Sequence, residues 1–197
     1  MSKVAYIYEI GPETSDEIDR GEIEARDESD ARRRLRGMLG TMRLPPNTRL
    51  FPKAVMDARE AQARSAKLRY LLHTLSEHHA WISGLGGGQR ADLSRLNLSG
   101  VNLSKRNLCN ADLAETDLTE ADLSGADLAG ANLMRANLRG ANLRNADLRE
   151  ADLTEADLRD AVLTGAKLDG AEFWRVNVKG CVISPKALHA ALECLSK

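Results

Sequence analysis

The sequence predicts an all-β solenoid preceded by a small α/β module and closed by a helix. Three observations carry this: a five-residue period running unbroken through nearly half the chain, an aromatic content of only 4%, and a change of composition near residue 90. Large rings bury about 150–250 Å² each and dominate ordinary cores. A core without them must be filled by something small and repetitive.

From Ala91 the chain divides into 19 consecutive units, ADLSR LNLSG VNLSK RNLCN ADLAE and onward to CVISP. The third position is Leu from Leu93 to Leu168, then Phe173, Val178 and Ile183; the first is Ala in 13 units and the second Asp or Asn in 15. A period of five fits neither the 3.6 of a helix nor the 2.0 of a straight strand. The chain must therefore turn every five residues, with positions 1 and 3 pointing inward as columns of Ala and Leu. Asp and Asn suit position 2 because short polar side chains bond nearby backbone at tight corners. Glycines recur at position 5, as at Gly100, Gly140 and Gly180, where a corner demands positive φ.

The pattern resembles the A(D/N)Lxx signature of the pentapeptide repeat family, from Ala91 to about Pro185. That resemblance implies a right-handed quadrilateral β-helix in which four units close a coil of 20 residues. About five coils would then stack at roughly 4.8 Å. Residues 20 apart should lie above one another. On one side, position 5 reads Arg95, Glu115, Arg135, Glu155, Arg175, an alternating charge ladder expected to support the register. On the next side, position 4 ends in Arg139, Arg159 and Lys179, a cationic stripe and candidate partner-binding face for an acidic partner. Arg106 occupies an inward first position, where it is expected to snorkel outward.

The pattern degrades toward the C-terminus, where Val162, Phe173, Trp174 and Val182 replace smaller or polar residues. Pro185 opens a helix expected over 186–197, with Leu188, Leu192 and Leu195 on one face. Exposed solenoid ends invite edge pairing and need caps. Val162, Val182, Trp174, Leu188, Leu192 and Leu195 are thus candidate contacts either for this cap or for a homodimer through the C-terminal end, which the family resemblance also implies.

Ahead of the repeat, residues 1–56 read as a small α+β module. Val4–Ile10 alternates β-branched and aromatic residues and predicts a strand; Gly21–Arg26 predicts a second, and Leu50–Phe51 a third. Asp27 or Ser29 caps a helix ending at Gly37 or Gly40. Residues 57–90 form a helix, with Leu68, Leu71, Leu72 and Leu75 on one stripe, and a Gly-rich linker; together they are expected to cap the first coil. The cluster Arg32, Arg33, Arg34, Arg36 sits among acids and reads as a solvated helix face.

With 28 Lys+Arg against 29 Asp+Glu, the chain offers no global attraction for nucleic acid or anionic membranes. No apolar run reaches the roughly 18 residues of a membrane span, and the opening MSKVAYIYEI shows no signal-peptide pattern. Cys109, Cys181 and Cys194 are odd in number and unpaired in pattern, which fits a reducing cytoplasm; the family resemblance implies a bacterial protein. His73, His78, His79 and His189 match no metal spacing, and no nucleophile or phosphate-loop motif occurs. The expectation is a non-enzymatic interaction or scaffold protein without cofactor or metal, binding a protein partner. The alternative is a DNA mimic that binds or protects a type II topoisomerase such as gyrase, an activity of some members of the family. Against it, residues 91–185 carry 11 bases among 15 acids, with Arg135, Arg139, Arg144 and Arg149 across the middle.

Overall fold

A computed structural model of the chain describes residues 3–11, 19–84, 86–185, 187 and 189. Their order is β1 (Val4–Ile10), β2 (Asp19–Ala25), α1 (Glu28–Leu39), β3 (Thr48–Pro52) and α2 (Lys53–Ile82), followed by the repeat. The chain divides into two compact units, Met1–Arg69 and Tyr70–Lys197.

In the first unit the strands form an antiparallel sheet of order β2-β1-β3. Because strand side chains alternate between faces, Tyr6, Tyr8, Ile23, Ala25 and Leu50 share the face on which α1 lays Ala31 and Leu35. Asp27 starts α1: its Oδ1 accepts from the Asp30 N–H at 2.8 Å. Gly40, at φ 64°, ends it in a left-handed cap. Helix α2 begins at Lys53, directly from β3 and before the expected residue 57, where Lys53 Nζ donates to Glu22 Oε2 at 2.8 Å.

In the second unit, parallel bridges join residues 20 apart, from Asp92↔Asp112 to Val162↔Val182. A five-residue unit with a 20-residue register gives four units per turn. The backbone accounts for itself almost completely. The position 2 N–H of Asp112 donates to Ala91 O one coil back, and the position 3 N–H of Leu93 donates to Asp112 O one coil on. The position 5 N–H of Arg95 reaches Ala114 O, and the position 1 N–H of Ala111 closes a turn onto Leu108 O. The position 4 N–H has no backbone acceptor. It donates instead to Oδ1 of the Asp or Asn two residues earlier, as from Ser94 to Asp92 at 3.0 Å and from Thr154 to Asp152 at 2.8 Å.

Inside the turns, Leu93 through Leu163 and the Ala column are essentially sealed from solvent. Each Leu so buried contributes roughly 1.5–3 kcal/mol. Position 5 is left-handed whether or not it is glycine: eleven non-glycine residues, including Lys105, Glu120 and Asn145, hold φ between 56° and 60°. Such a conformation costs about 1–2 kcal/mol for an L-residue, offset by the inter-coil bond its N–H makes. Thr116, at an inward first position, is fully buried and donates its hydroxyl to Leu93 O at 2.8 Å. Arg106 is exposed. Phe173 fills a third position near the end of the repeat, as its place in the five-residue register predicts, and is 7% exposed.

The end of α2 that belongs to this unit meets the first coil. Leu71 is buried with the solenoid core and Leu75 packs against it. Tyr70 donates its hydroxyl to Asp92 O at 3.3 Å, and the Ala91 N–H donates to Nδ1 of fully buried His78 at 3.0 Å. The helix expected over 186–197 lies outside the described residues apart from Ala187 and His189; the Ala187 N–H donates to Ser184 Oγ at 3.2 Å.

Two predictions follow from these bonds. Asp152→Ala removes an acceptor for a position 4 N–H and should lower the urea unfolding free energy by about 1 kcal/mol, whereas Asp152→Asn should be nearly neutral. Equal effects of the two variants would show that the side-chain oxygen is dispensable. At His78, burial and then the nearby Arg90 charge lower the pKa below its ordinary 6.5. The native state therefore binds fewer protons than the unfolded one, and stability should fall as pH drops below about 6.5. His78→Gln keeps an acceptor without titrating; its melting temperature should change less between pH 7 and pH 5 than that of the wild type.

Candidate functional site

Position 4 and 5 side chains are the chemistry the solenoid presents, because positions 1 and 3 are consumed by the core and position 2 by the turn. The ladder column is set by position 5. Arg95 Nε lies 3.2 Å from Glu115, Arg135 Nε 2.8 Å from Glu155, and Arg175 Nη1 3.7 Å from Glu155. Glu155 thus holds two guanidinia, Arg135 first, which lower its pKa. Among the described residues no ion pair joins Glu115 to Arg135, so the ladder is formed in two pieces.

On the neighbouring side Arg139, Arg159 and Lys179 occupy stacked position 4 sites. They are not equivalent. Arg159 folds back on Asp157 two residues earlier, through both its Nε and Nη2, and this bond lowers the Asp157 pKa. Arg139 and Lys179 make no ion pair among the described residues, and both are exposed. The stripe therefore presents two free cations flanking a neutralised one.

A further side carries the reverse arrangement. Asp147 receives Arg149 at 2.7 Å and Lys167, one coil on, at 3.0 Å. The Arg149 hydrogen bond above all, with that of Lys167, holds its pKa at about 2. Cys109, an outward position 4 residue, has its thiol pushed up by burial and by the Asp127 and Asp147 charges.

Near the end of the repeat, Trp174 is 52% exposed and Val182 54%, with Val178 also open. Arg175 lies over the Trp174 ring, 4.5 Å from its centre. Val162 is half-buried, stacked between Asn142 and Val182. Leu188, Leu192 and Leu195 lie outside the described residues. The cluster Arg32 to Arg36 is split: Arg33 and Arg34 pair with the buried Asp30, Arg32 with Glu28, and Arg36 with no carboxylate among the described residues. The buried Asp30 and the orphaned Nε2 of His78 escaped sequence reasoning. Asp30 lies at i−3 and i−4 from two arginines on one helix, which is a readable signal; His78 had only its place on the Leu71 and Leu75 face.

The profile of the family described as pentapeptide repeats matches eight copies, over residues 91–130, 116–154, 131–168 and 146–184. The chain belongs to the pentapeptide repeat family. Its repeat is accordingly a right-handed β-helical solenoid. Among solved pentapeptide repeat proteins it is similar to Rfr23 of the cyanobacterium Cyanothece 51142, at 40% identity over 51% of this chain and 69% of that one, TM-score 0.49. Another is alr5209 of Nostoc PCC 7120, at 35% identity over 59% and 90%, TM-score 0.48. A third is a thylakoid-lumen pentapeptide repeat protein of Arabidopsis thaliana, at 37% identity over 45% and 61%, TM-score 0.44. A search of curated proteins found no match. Among the described residues no helix is long and apolar enough to cross a membrane, and no cluster of His, Cys, Asp and Glu has the makings of a metal site.

Proposed function

We propose that this pentapeptide repeat protein is a non-enzymatic scaffold that docks an acidic protein surface on its solenoid, in the bacterial cytoplasm. The observation that carries this reading is the pair of free, exposed cations Arg139 and Lys179 on one side of the stack. A lattice of inter-coil hydrogen bonds fixes the backbone beneath them, so docking orders little backbone and loses little entropy. The raised pKa of Cys109 supports a non-catalytic surface. On this reading, about five coils are capped at the start by the end of α2 from Tyr70 onward.

Charge reversal tests it. The triple variant Arg139→Glu, Arg159→Glu, Lys179→Glu, used as bait beside the wild type in the native cell, should lose the wild-type partners seen by mass spectrometry. A partner set that survives the triple reversal overturns the stripe. The topoisomerase-mimic reading requires a continuous negative surface; the 15 acids of residues 91–185 are interrupted by 11 bases, several of them ion-paired to those acids. Inhibition or protection of gyrase in a supercoiling assay would favour the mimic over the scaffold.

A second reading, favoured by the exposure of Trp174 and Val182, is a homodimer through the C-terminal end. Trp174→Lys with Val182→Lys should then convert a dimeric mass in light scattering to a monomeric one. A wild type that is already monomeric at about 100 μM removes this reading.

A further inference from the structure

Within the first unit, three exposed arginines line an open surface depression of about 420 Å³: Arg32 and Arg36 from α1 and Arg43 from the segment leading to β3. Its other wall is apolar, from Leu44, Pro45 and Pro46. This volume falls in the range of about 300–1,000 Å³ usual for small-ligand sites.

The charge distribution singles this depression out. The other guanidinia on and just before α1 have their carboxylate: Arg26, Arg33 and Arg34 share Asp30, the first two within 3.6 Å and 3.3 Å of it. Arg32 retains one acid, Glu28, at 2.8 Å. Arg36 and Arg43 make no ion pair among the described residues, and no acid lines the depression. Thr48, also on the lining, donates its hydroxyl to Pro45 O at 2.8 Å. Its remaining lone pairs are therefore acceptors for a donor on the ligand.

We propose that this depression binds a small phosphorylated ligand carrying a flat ring, of the nucleoside polyphosphate class. Arginine forks match phosphate oxygens in pairs, and two unpaired forks with a third beside them call for more than one phosphate. The proline and leucine wall gives a ring an apolar surface that inorganic phosphate would leave unused. Thr48 Oγ1 accepts from a ring amine or a sugar hydroxyl. The site lies wholly within the sheet-and-α1 unit and does not depend on the role of the solenoid.

The test is calorimetric titration of the full chain with ATP and, separately, with pyrophosphate. ATP should bind with a dissociation constant below about 1 mM, and pyrophosphate at least about tenfold more weakly. The double variant Arg36→Gln, Arg43→Gln touches two exposed side chains without structural partners and should lower ATP affinity at least tenfold at an unchanged circular dichroism spectrum. Arg33→Gln, away from the depression, should leave ATP affinity intact. The proposal is overturned if neither probe binds at 5 mM, if the double variant binds ATP like the wild type, or if pyrophosphate binds as well as ATP. It is overturned in favour of nucleic acid if a single-stranded oligonucleotide binds a hundredfold more tightly than ATP through the same arginines.

Discussion

Each five-residue unit brings five backbone N–H groups to a corner; stacking satisfies three of them and the local turn a fourth. The fifth, at position 4, would sit at a half-buried turn without a partner, and a buried donor left unmade costs about 1–3 kcal/mol. The Asp or Asn at position 2 supplies the missing acceptor, as Asp117 does for Thr119 at 3.1 Å. The column does more than close corners. Asn132, Asn137 and Asn142 each donate Nδ2 to the Asp one coil before, at 3.1, 3.3 and 3.0 Å. Mixed Asp and Asn columns thus convert like-charge stacking into hydrogen bonds, and where two Asp follow one another, at Asp127 and Asp147, Arg149 and Lys167 take the charge.

This constraint frees the surface. With positions 1, 2 and 3 committed, only positions 4 and 5 can vary without disturbing the stack, and even position 5 must accept a left-handed backbone. The fold accordingly fixes where side chains stand and leaves their chemistry open. Two exposed columns of one solenoid can then carry an alternating charge ladder and a cationic stripe side by side, as the Arg135–Glu155 column and the Arg139–Lys179 column do. Fold alone therefore says little about the partner; the composition of those columns carries the specificity.

The five-residue period was legible from the repeat itself and four units per turn from the family resemblance; together they put residue i over i+20, and the described bridges have that spacing. The helix α1 was legible from Asp27 or Ser29 at its start and Gly37 or Gly40 at its end; the side-chain acceptor of Asp27 and the positive φ of Gly40 decide between them. What could not be read was side-chain choice among competing partners. Arg159 has Asp157 within its own unit and takes it, while Arg139, with Asn137 at the same offset, has no carboxylate in its own unit and makes no ion pair among the described residues. The position 2 residue decides which cation of the stripe stays free, a pairing between columns that reading position 4 alone misses.

The two ends of the stack differ in the same terms. At the first coil, the inward first positions enlarge to Leu96 and Val101, which pack with Leu71 and Leu75 against the core; larger side chains fill space that a preceding coil would otherwise occupy. At the other end, position 2 becomes Val162, Lys167, Glu172 and Val182. Val and Lys offer no acceptor to the following turn, and the position 4 residues Thr164, Asp169 and Trp174 are exposed, where water can serve their N–H groups. Apolar side chains replace the polar column as Trp174, Val178 and Val182 open to solvent. The first end spends its bulk inward, on its own core, and the last turns it outward. A surface with apolar side chains and a solvated backbone rim gains most when another apolar surface covers it, so the last coils are where a cap or a second copy would be stabilised most strongly.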